Sequence, residues 1–583
     1  MTTQINIRSY HADIIISGLG PTGLTLAHLL ARRGVSVLIL EREPVFYGNA
    51  RAVYTDDECM RVFQEADLAP DLHKDMLFDM PVQFVRGDGT PMGQYMPMQR
   101  TLGWPVINFF YQPYLETTLT ERLEKYDNVR ILRGREVCDF QQDHSGVNVT
   151  HVASQGTGYG QRGTEPVLDE SDFKMVRGRY LIACDGGRST IRTRLGIELS
   201  GRSFPEPWLV VDLRIRKGEE ALRHLPYFNF YCDPELPTVS CPQPDGFHRF
   251  EFMLKPGQTR EYMEDPATIR LLLSRHVDPD KFEIMRKLVY TFNALVAERW
   301  REGRVILAGD AAHMTPQFMG QGMSSGVRDA YNLAWKLATV LHGNAGDALL
   351  DSYGSERRHH AKAMIDGSVR LKSMVSMSNP VAASLRNTVL KGIQVIPPMK
   401  AYLREGGFKP KPRYRNGEYF GLPRSGFRGP EGTLLPQPEV CDLEGRHFLL
   451  DEILGNGFAL IGLSTDPRTQ LSDDARTILT TLNTRYVSVY AKGLRPQGHN
   501  GVARVTSPGL LEVEEQSDVM HHWFRGCGIS GNAIAIVRPD KFVFGVVKAE
   551  KLDDAIAILS LNLGAPDNRT AIIHSLSTTS STQ

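Results

Sequence analysis

The sequence predicts an α/β protein: a Rossmann-type nucleotide-binding domain, an antiparallel sheet interleaved with it, and a further α/β domain toward the C-terminal end. Three observations carry this. A Gly-rich turn joins an apolar strand to a helix within residues 12–41. A second strand, followed by an acidic turn, a Gly-rich loop and a helix, occupies residues 305–338. Between them, the chain from Trp208 to about Thr291 alternates aromatic and polar side chains around Pro-rich turns, as antiparallel sheets do.

Composition narrows the function classes. The chain has 583 residues, enough for roughly two to four domains. Lys+Arg and Asp+Glu both number 67, so net charge gives no case for nucleic acid or an anionic membrane surface as a partner. The seven cysteines form no CxxC pair, which favours reduced thiols over a disulfide framework or a zinc site, and no metal is expected. No apolar run is long enough to cross a bilayer, the first residues carry no signal-like apolar core, and a cytoplasmic protein is expected.

Residues Ala12 to Glu41 read as a βαβ unit. Ile14, Ile15 and Ile16 form a buried strand; Gly18, Gly20 and Gly23 follow in GxGxxG spacing, with Pro21 and Thr22 between them; Gly34 ends the helix. The glycines allow a tight turn, close approach of backbone to a pyrophosphate, and close helix–strand packing, in that order. Glu41, followed by Arg42, stands about 20 residues on, where an acid can bind both hydroxyls of an adenosine ribose.

In the second unit, Val305 to Ala308 form a short buried strand, Gly309 and Asp310 a turn, and Pro316, Gly320 and Gly322 a loop. A helix is expected to begin near Ser324 or Ser325, burying Val327, Ala330, Tyr331, Ala334 and Leu337. An acidic turn beside a helix N-terminus suits a polyhydroxylated, anionic ligand.

Three motifs in this order, GxGxxG with Glu41, CDGGRSTIR (Cys184 to Arg192), and LAGDAAH with its Pro and GQG (Leu307 to Gly322), resemble the class A flavoprotein aromatic hydroxylases, the para-hydroxybenzoate hydroxylase-like group. HRFEFM, FKPKPRY, NLAWKL and RRHHAKAMID are similar to the 3-(3-hydroxyphenyl)propionate hydroxylase subfamily within it. The resemblance implies FAD as cofactor, NADH or NADPH as reductant and O2 as co-substrate. It implies that Asp185 and Gly186 serve flavin and nicotinamide, that Asp310 with Gly309 holds the ribitol, and that Arg51 and Gln112 meet the phosphate and adenosine side. Pro316, Gly320, Gly322, Met323 and Ser324 would lie by the flavin ring. The subfamily's loop commonly has Asn where this chain has Ser324, which is expected to cap the helix instead.

The implied fold is an FAD-binding Rossmann-type domain (1–200 and 292–404), an antiparallel-sheet substrate domain (201–291 with part of 75–110), a linker (405–438), a thioredoxin-like C-terminal domain (439–573) and a disordered tail (574–583). The absence of CxxC from the C-terminal domain argues for shielding or dimerisation over dithiol chemistry, and a homodimer is the expected assembly. Phe228, Phe230, Phe250 and Phe252 are candidates for the substrate pocket or plain core. Arg188 and Arg192 are placed on a helix, facing phosphate or solvent. Asp56, Asp57 and Glu58 read as an acidic first helical turn. Met364, Met374, Met377 and Met399 read as core or pocket rim.

The implied reaction is hydroxylation of a substituted phenol, ortho or para to its hydroxyl, through a C4a-hydroperoxyflavin, with a 3-hydroxyphenylpropanoid acid of aromatic catabolism as one such substrate. Two alternatives stand beside it: an oxygenase of the same fold acting on a polyketide, quinone or other non-phenolic ring, and a flavoprotein reductase that inserts no oxygen. The catalytic group is not identified. Pro316 and His313 are the candidates, with packing the better reading of His313.

Overall fold

The computed structural model describes residues 11–564 except 47, 49, 157–171, 205, 217–221, 223, 427–428, 497–507 and 530–531. Most of the polar stretch Ser154 to Pro166, which its composition predicts to be an exposed loop, and all of the predicted disordered tail lie outside the described residues.

The first sheet has eight strands, and its core is parallel. Ala12–Ser17 lies between Val37–Glu41 and Lys174–Ala183, with Ile15 opposite both Leu38 and Leu181; Val305–Leu307 pairs on the far side of Lys174–Ala183, and Val129–Arg133 beyond Val37–Glu41. Ile14, Ile15 and Ile16 have no exposed surface. The sheet's central strands are buried on both faces, so they run apolar without alternation, as parallel strands do. Each such side chain contributes about 1.5–3 kcal/mol on burial. Helix Pro21–Ala31 packs against helix Gln321–Leu341, which brings the two Gly-rich segments to the same end of the sheet.

That second helix begins at Gln321, earlier than expected. Gly320 takes a left-handed conformation (φ 63°) and turns the chain into the helix without a side-chain cap. Ser324 and Ser325 therefore sit inside the first turns, fully buried, with side-chain oxygens that find no hydrogen-bond partner. Ser324 is not the cap.

The second sheet has seven strands in the order Phe282–Tyr290, Trp208–Ile215, Phe247–Met253, Thr238–Pro242, Phe228–Tyr231, Val82–Val85, Pro91–Tyr95. All pairs are antiparallel except Phe228–Tyr231 with Val82–Val85, which run parallel. The strand period of two splits the four phenylalanines between its faces. Phe250 and Phe252 enter a satellite core with Leu209, Val211 and the helix residues Met263 and Ile269. Phe228 and Phe230 face the other way, into the cavity described below.

The chain then forms three helices, Asp351–Val375, Pro380–Val395 and Pro397–Arg404. Met364 is core, whereas Met399 is 44% exposed and belongs to neither core nor rim. The described residues of 405–438 form no regular helix or strand, but they are firmly packed: Tyr414, Phe420, Leu435 and Gln437 are buried. The C-terminal sheet is thioredoxin-like, with parallel strands Ala459–Leu463, Arg485–Tyr490 and Leu510–Glu515 flanked by the antiparallel pair Ala533–Val537 and Val543–Lys548. No helix of the described chain is long and apolar enough to cross a membrane.

Candidate active site

A cavity of about 1270 Å³ opens between the end of the parallel sheet and one face of the antiparallel sheet. Small-ligand pockets usually hold about 300–1,000 Å³, so this one has room for a dinucleotide and a second, smaller molecule. It is lined at one end by Gly18, Gly20, Pro21, Thr22, Glu41, Arg42, Arg51 and Gln112, in the middle by Asp185, Gly186, Asp310, Gly320, Gly322 and Met323, and at the other end by Phe84, Phe228, Phe230 and Tyr290.

Local geometry explains the glycines. A Cβ on Gly18 (φ 102°) would stand 2.3 Å from the Cys184 carbonyl oxygen, and one on Gly23 would stand 2.2 Å from the Gly18 carbonyl oxygen. Gly20 and Gly322 differ: a Cβ there meets nothing within 4 Å, so both present bare backbone to open cavity. Glu41 accepts the Leu19 amide at 2.6 Å and the Glu43 amide at 2.9 Å, which fixes its carboxylate at the end of its strand. Gln112 Oε1 accepts the amides of Arg51 and Ala52 at 2.6 and 2.7 Å and so holds the 51–52 loop to the cavity wall. Asp185 is raised by burial, and its Oδ1 is buried with no hydrogen-bond partner.

These features fit a bound FAD: an open Gly turn for the pyrophosphate, a fixed acid for the ribose, and a buried orphan acceptor midway. No metal-binding cluster of His, Cys, Asp and Glu occurs among the described residues.

Other candidates lie behind the wall. Gly23 packs against the Gly18 carbonyl, and Gly309 donates its amide to Asp329 at 3.0 Å. Pro316 is buried and its carbonyl accepts the Ser368 hydroxyl. His313 is fully buried, stacked on Trp300, with Nε2 2.7 Å from Asp329 Oδ2. Arg357 donates to the other Asp329 oxygen at 2.9 Å, so this group braces the turn that carries Asp310. Arg188 precedes the short helix Thr190–Arg194 and lines the cavity. Arg192 is turned inward and donates to the carbonyls of Ala311 and Gly187, so it faces neither phosphate nor solvent.

Several polar groups escaped sequence reasoning. Asp56 does cap the helix Asp57–Glu65, but it is also fully buried and is met by Arg328 and by Lys409 at 2.9 Å. Burial favours its neutral form, but Arg328 and Lys409 outweigh burial and hold its carboxyl well below the usual range. Arg249, on the antiparallel sheet, donates to Asp212 at 2.6 and 3.1 Å and to the carbonyls of Arg51 and Ala50 at 2.6 Å each, tying that sheet to the loop beside Gln112. Glu251, next on the same face, also lines the cavity. The alternation of HRFEFM with period two was the available signal: it puts Arg249 and Glu251 on the face opposite Phe250 and Phe252.

Residues 11–368 match the family model described as an FAD binding domain, and residues 432–561 match the HcaD C-terminal domain. A 3-(3-hydroxy-phenyl)propionate/3-hydroxycinnamic acid hydroxylase of Klebsiella pneumoniae (strain 342) is 36% identical over 551 residues, 94% of each chain. The enzyme of that name from Mycolicibacterium smegmatis is 34% identical over 563 residues, 96% of this chain and 95% of its own. Among solved structures, the flavin-dependent monooxygenase PieE in complex with FAD and substrate is 19% identical, with a TM-score of 0.76 over 96% of this chain and all of its own. Aklavinone-11 hydroxylase with FAD and aklavinone is 22% identical, with a TM-score of 0.70 over 94% of this chain and 99% of its own. At those identities the solved structures support the fold, whereas the family model and the closer relatives decide the lineage: the chain belongs to the FAD-binding-domain family, as a class A flavoprotein aromatic hydroxylase.

Proposed function

We propose that this enzyme hydroxylates a phenol carrying a short acidic side chain, a 3-hydroxyphenylpropanoid acid, ortho or para to the phenolic hydroxyl. The observation that carries the reading is the continuity of the cavity, from the Gly18–Gly20 turn to the aromatic face of the second sheet. The names of the relatives support the substrate class. FAD, when bound, supplies hydride acceptance from NADH or NADPH and transfer of one oxygen atom from O2 to the ring.

The residues of this chain position, shield and polarise. Gly18, Gly20, Pro21 and Thr22 take the pyrophosphate, Glu41 and Arg42 the adenosine ribose, and Arg51 and Gln112 the phosphate side. Asp185, Gly186 and Asp310 take the ribitol and middle section. Gly320, Gly322 and Met323 border the ring, where free amides of the first helical turn favour negative charge. Phe84, Phe228 and Phe230 exclude water from the aromatic substrate. Residues 1–200 with 292–404 form the flavin-binding body and 201–291 the substrate domain in this reading. The supply of reduced nicotinamide favours the cytoplasm. A homodimer completes the proposal, supported by the exposed apolar row Val381, Leu385 and Val389 at helical spacing.

The test is oxygen and NAD(P)H consumption by the purified flavoprotein across a panel of phenols, with product masses. The expected result is stimulated consumption and a gain of one oxygen by a hydroxyphenylpropanoid acid. Turnover confined to fused polycyclic substrates would replace this reading with the non-phenolic oxygenase. Reduction without oxygen uptake would replace it with a reductase.

A further inference from the structure

The cavity-facing side of the antiparallel sheet is mostly apolar around Glu251. Val210 and Val239 stand directly across from it on the two neighbouring strands. Glu251 is only 5% exposed and yet lines the cavity. Its hydrogen bond comes from the neutral side-chain amide of Gln317, on the loop between Asp310 and Gly320.

The charged and titratable groups facing it are accounted for from each packed element. On its own strand, Arg249 spends Nε and Nη2 on Asp212, Nη1 on the Arg51 carbonyl and Nη2 again on the Ala50 carbonyl. Across the sheet, Asp212 is held by Arg249 and by Arg286 at 3.7 Å. Strand Phe282–Tyr290 adds Tyr290 and strand Thr238–Pro242 adds Cys241, both of which also line the cavity. No cation forms an ion pair with Glu251 among the described residues. Burying a carboxylate without one costs several kcal/mol, and a position needed only for packing would be better served by an apolar or amide side chain.

We propose that Glu251 takes the proton of the substrate's phenolic hydroxyl. The O–H bond breaks, the proton passes to a Glu251 carboxylate oxygen, and the electron pair stays on the ring oxygen, activating the ortho and para carbons. This assignment rests on the phenol reading given above. Burial pushes the Glu251 carboxyl up to about 7, with Arg249 opposing the rise and Asp212 adding to it. A base in that range is closer to a phenol, near 10 in water, than an ordinary carboxylate near 4.3. It is also matched to neutral pH, where general bases work best.

The experiment compares the FAD-loaded enzyme with Glu251→Gln and Glu251→Asp on phenols of graded acidity, and follows the colour of a bound nitrophenol against pH. For a weakly acidic phenol, kcat/KM should fall about 100-fold in Glu251→Gln, at the low end of what a general base contributes. The loss should shrink to roughly tenfold or less for a nitrophenol, which needs little help to ionise. The acid limb of kcat/KM near pH 7 should vanish in Glu251→Gln and persist in Glu251→Asp. The bound nitrophenol should ionise in two coupled steps in the unaltered protein and in one step in Glu251→Gln. Equal losses across all acidities, or the same single step in both proteins, would overturn the assignment while leaving the hydroxylase reading intact. If the unaltered enzyme hydroxylates no phenol, the functional reading falls and the assignment with it.

Discussion

The Arg538 guanidinium grips the Glu356 carboxylate through two hydrogen bonds, of 2.6 and 2.9 Å, joining the C-terminal sheet to the helix Asp351–Val375. Lys336 reaches the same carboxylate at 2.7 Å and Asp540 balances Arg538, with none of the four side chains more than 1% exposed. The C-terminal domain is therefore built into the flavin-binding body.

Glu356→Ala should accordingly destabilise the whole chain by about 3–5 kcal/mol, because it leaves two buried cations, Lys336 and Arg538, with one carboxylate, Asp540, between them. Burial already lowers the Lys336 ammonium to about 8, with Glu356 opposing the fall, so that lysine would sink further toward its neutral form. Denaturant unfolding measures the loss, and limited proteolysis within residues 405–438 should become rapid. A loss under about 1 kcal/mol would show the cluster to be solvated in solution.

Two glycines of the first turn, Gly23 and Gly20, should separate folding from cofactor binding. Gly23→Ala drives a Cβ into backbone 2.2 Å away, and neither helix nor strand can shift without breaking the parallel sheet. It should cost the fold about 1–3 kcal/mol or more, with or without FAD. Gly20→Ala meets no protein atom and keeps an ordinary φ of −75°, so the unloaded protein should melt as before. Its new methyl group projects into the cavity, and FAD affinity should fall at least about tenfold, or 1.4 kcal/mol. Melting curves with and without FAD, plus a flavin fluorescence titration, check both. Tight FAD binding by Gly20→Ala would remove the pyrophosphate from that turn.

The sequence made the parallel sheet and its two Gly-rich turns legible because chain-local rules govern them: continuous apolar strands, glycine spacing, and an acid at a strand end. The helix start escaped, because a left-handed Gly320 did the work that a serine cap usually does. The acidic run Asp56–Glu58 is the first helical turn that its sequence predicts. What neighbouring residues could not show is its burial against Arg328 and Lys409, some 270 and 350 positions away, which pair with Glu58 and Asp56. Glu251 was hidden differently. Its strand alternates as a core strand should, and only the position of the cavity shows that one face of that core is a substrate wall.

Acid should weaken the fold through buried neutral histidines, of which His28 is the simplest to isolate. Its Nε2 lies 2.7 Å from the Leu119 carbonyl, between the helices Pro21–Ala31 and Gln112–Leu123. Burial lowers it from 6.5 to about 4, with the Leu119 bond opposing the fall. Between those two values the unfolded chain binds a proton that the folded one refuses, so stability rises with pH there and is lost on acidification. His28→Gln can keep a donor on the Leu119 carbonyl but cannot titrate. The slope of unfolding free energy between pH 6 and 4.5 should therefore fall by close to one proton, about 1.4 kcal/mol per pH unit. His151 and His276 are lowered to about 4 and His248 to about 3, in each case chiefly by burial, so a residual slope should remain. Urea unfolding of both proteins across this range decides it: parallel curves would mean that His28 is protonated in the folded state and that its ring is reached by water.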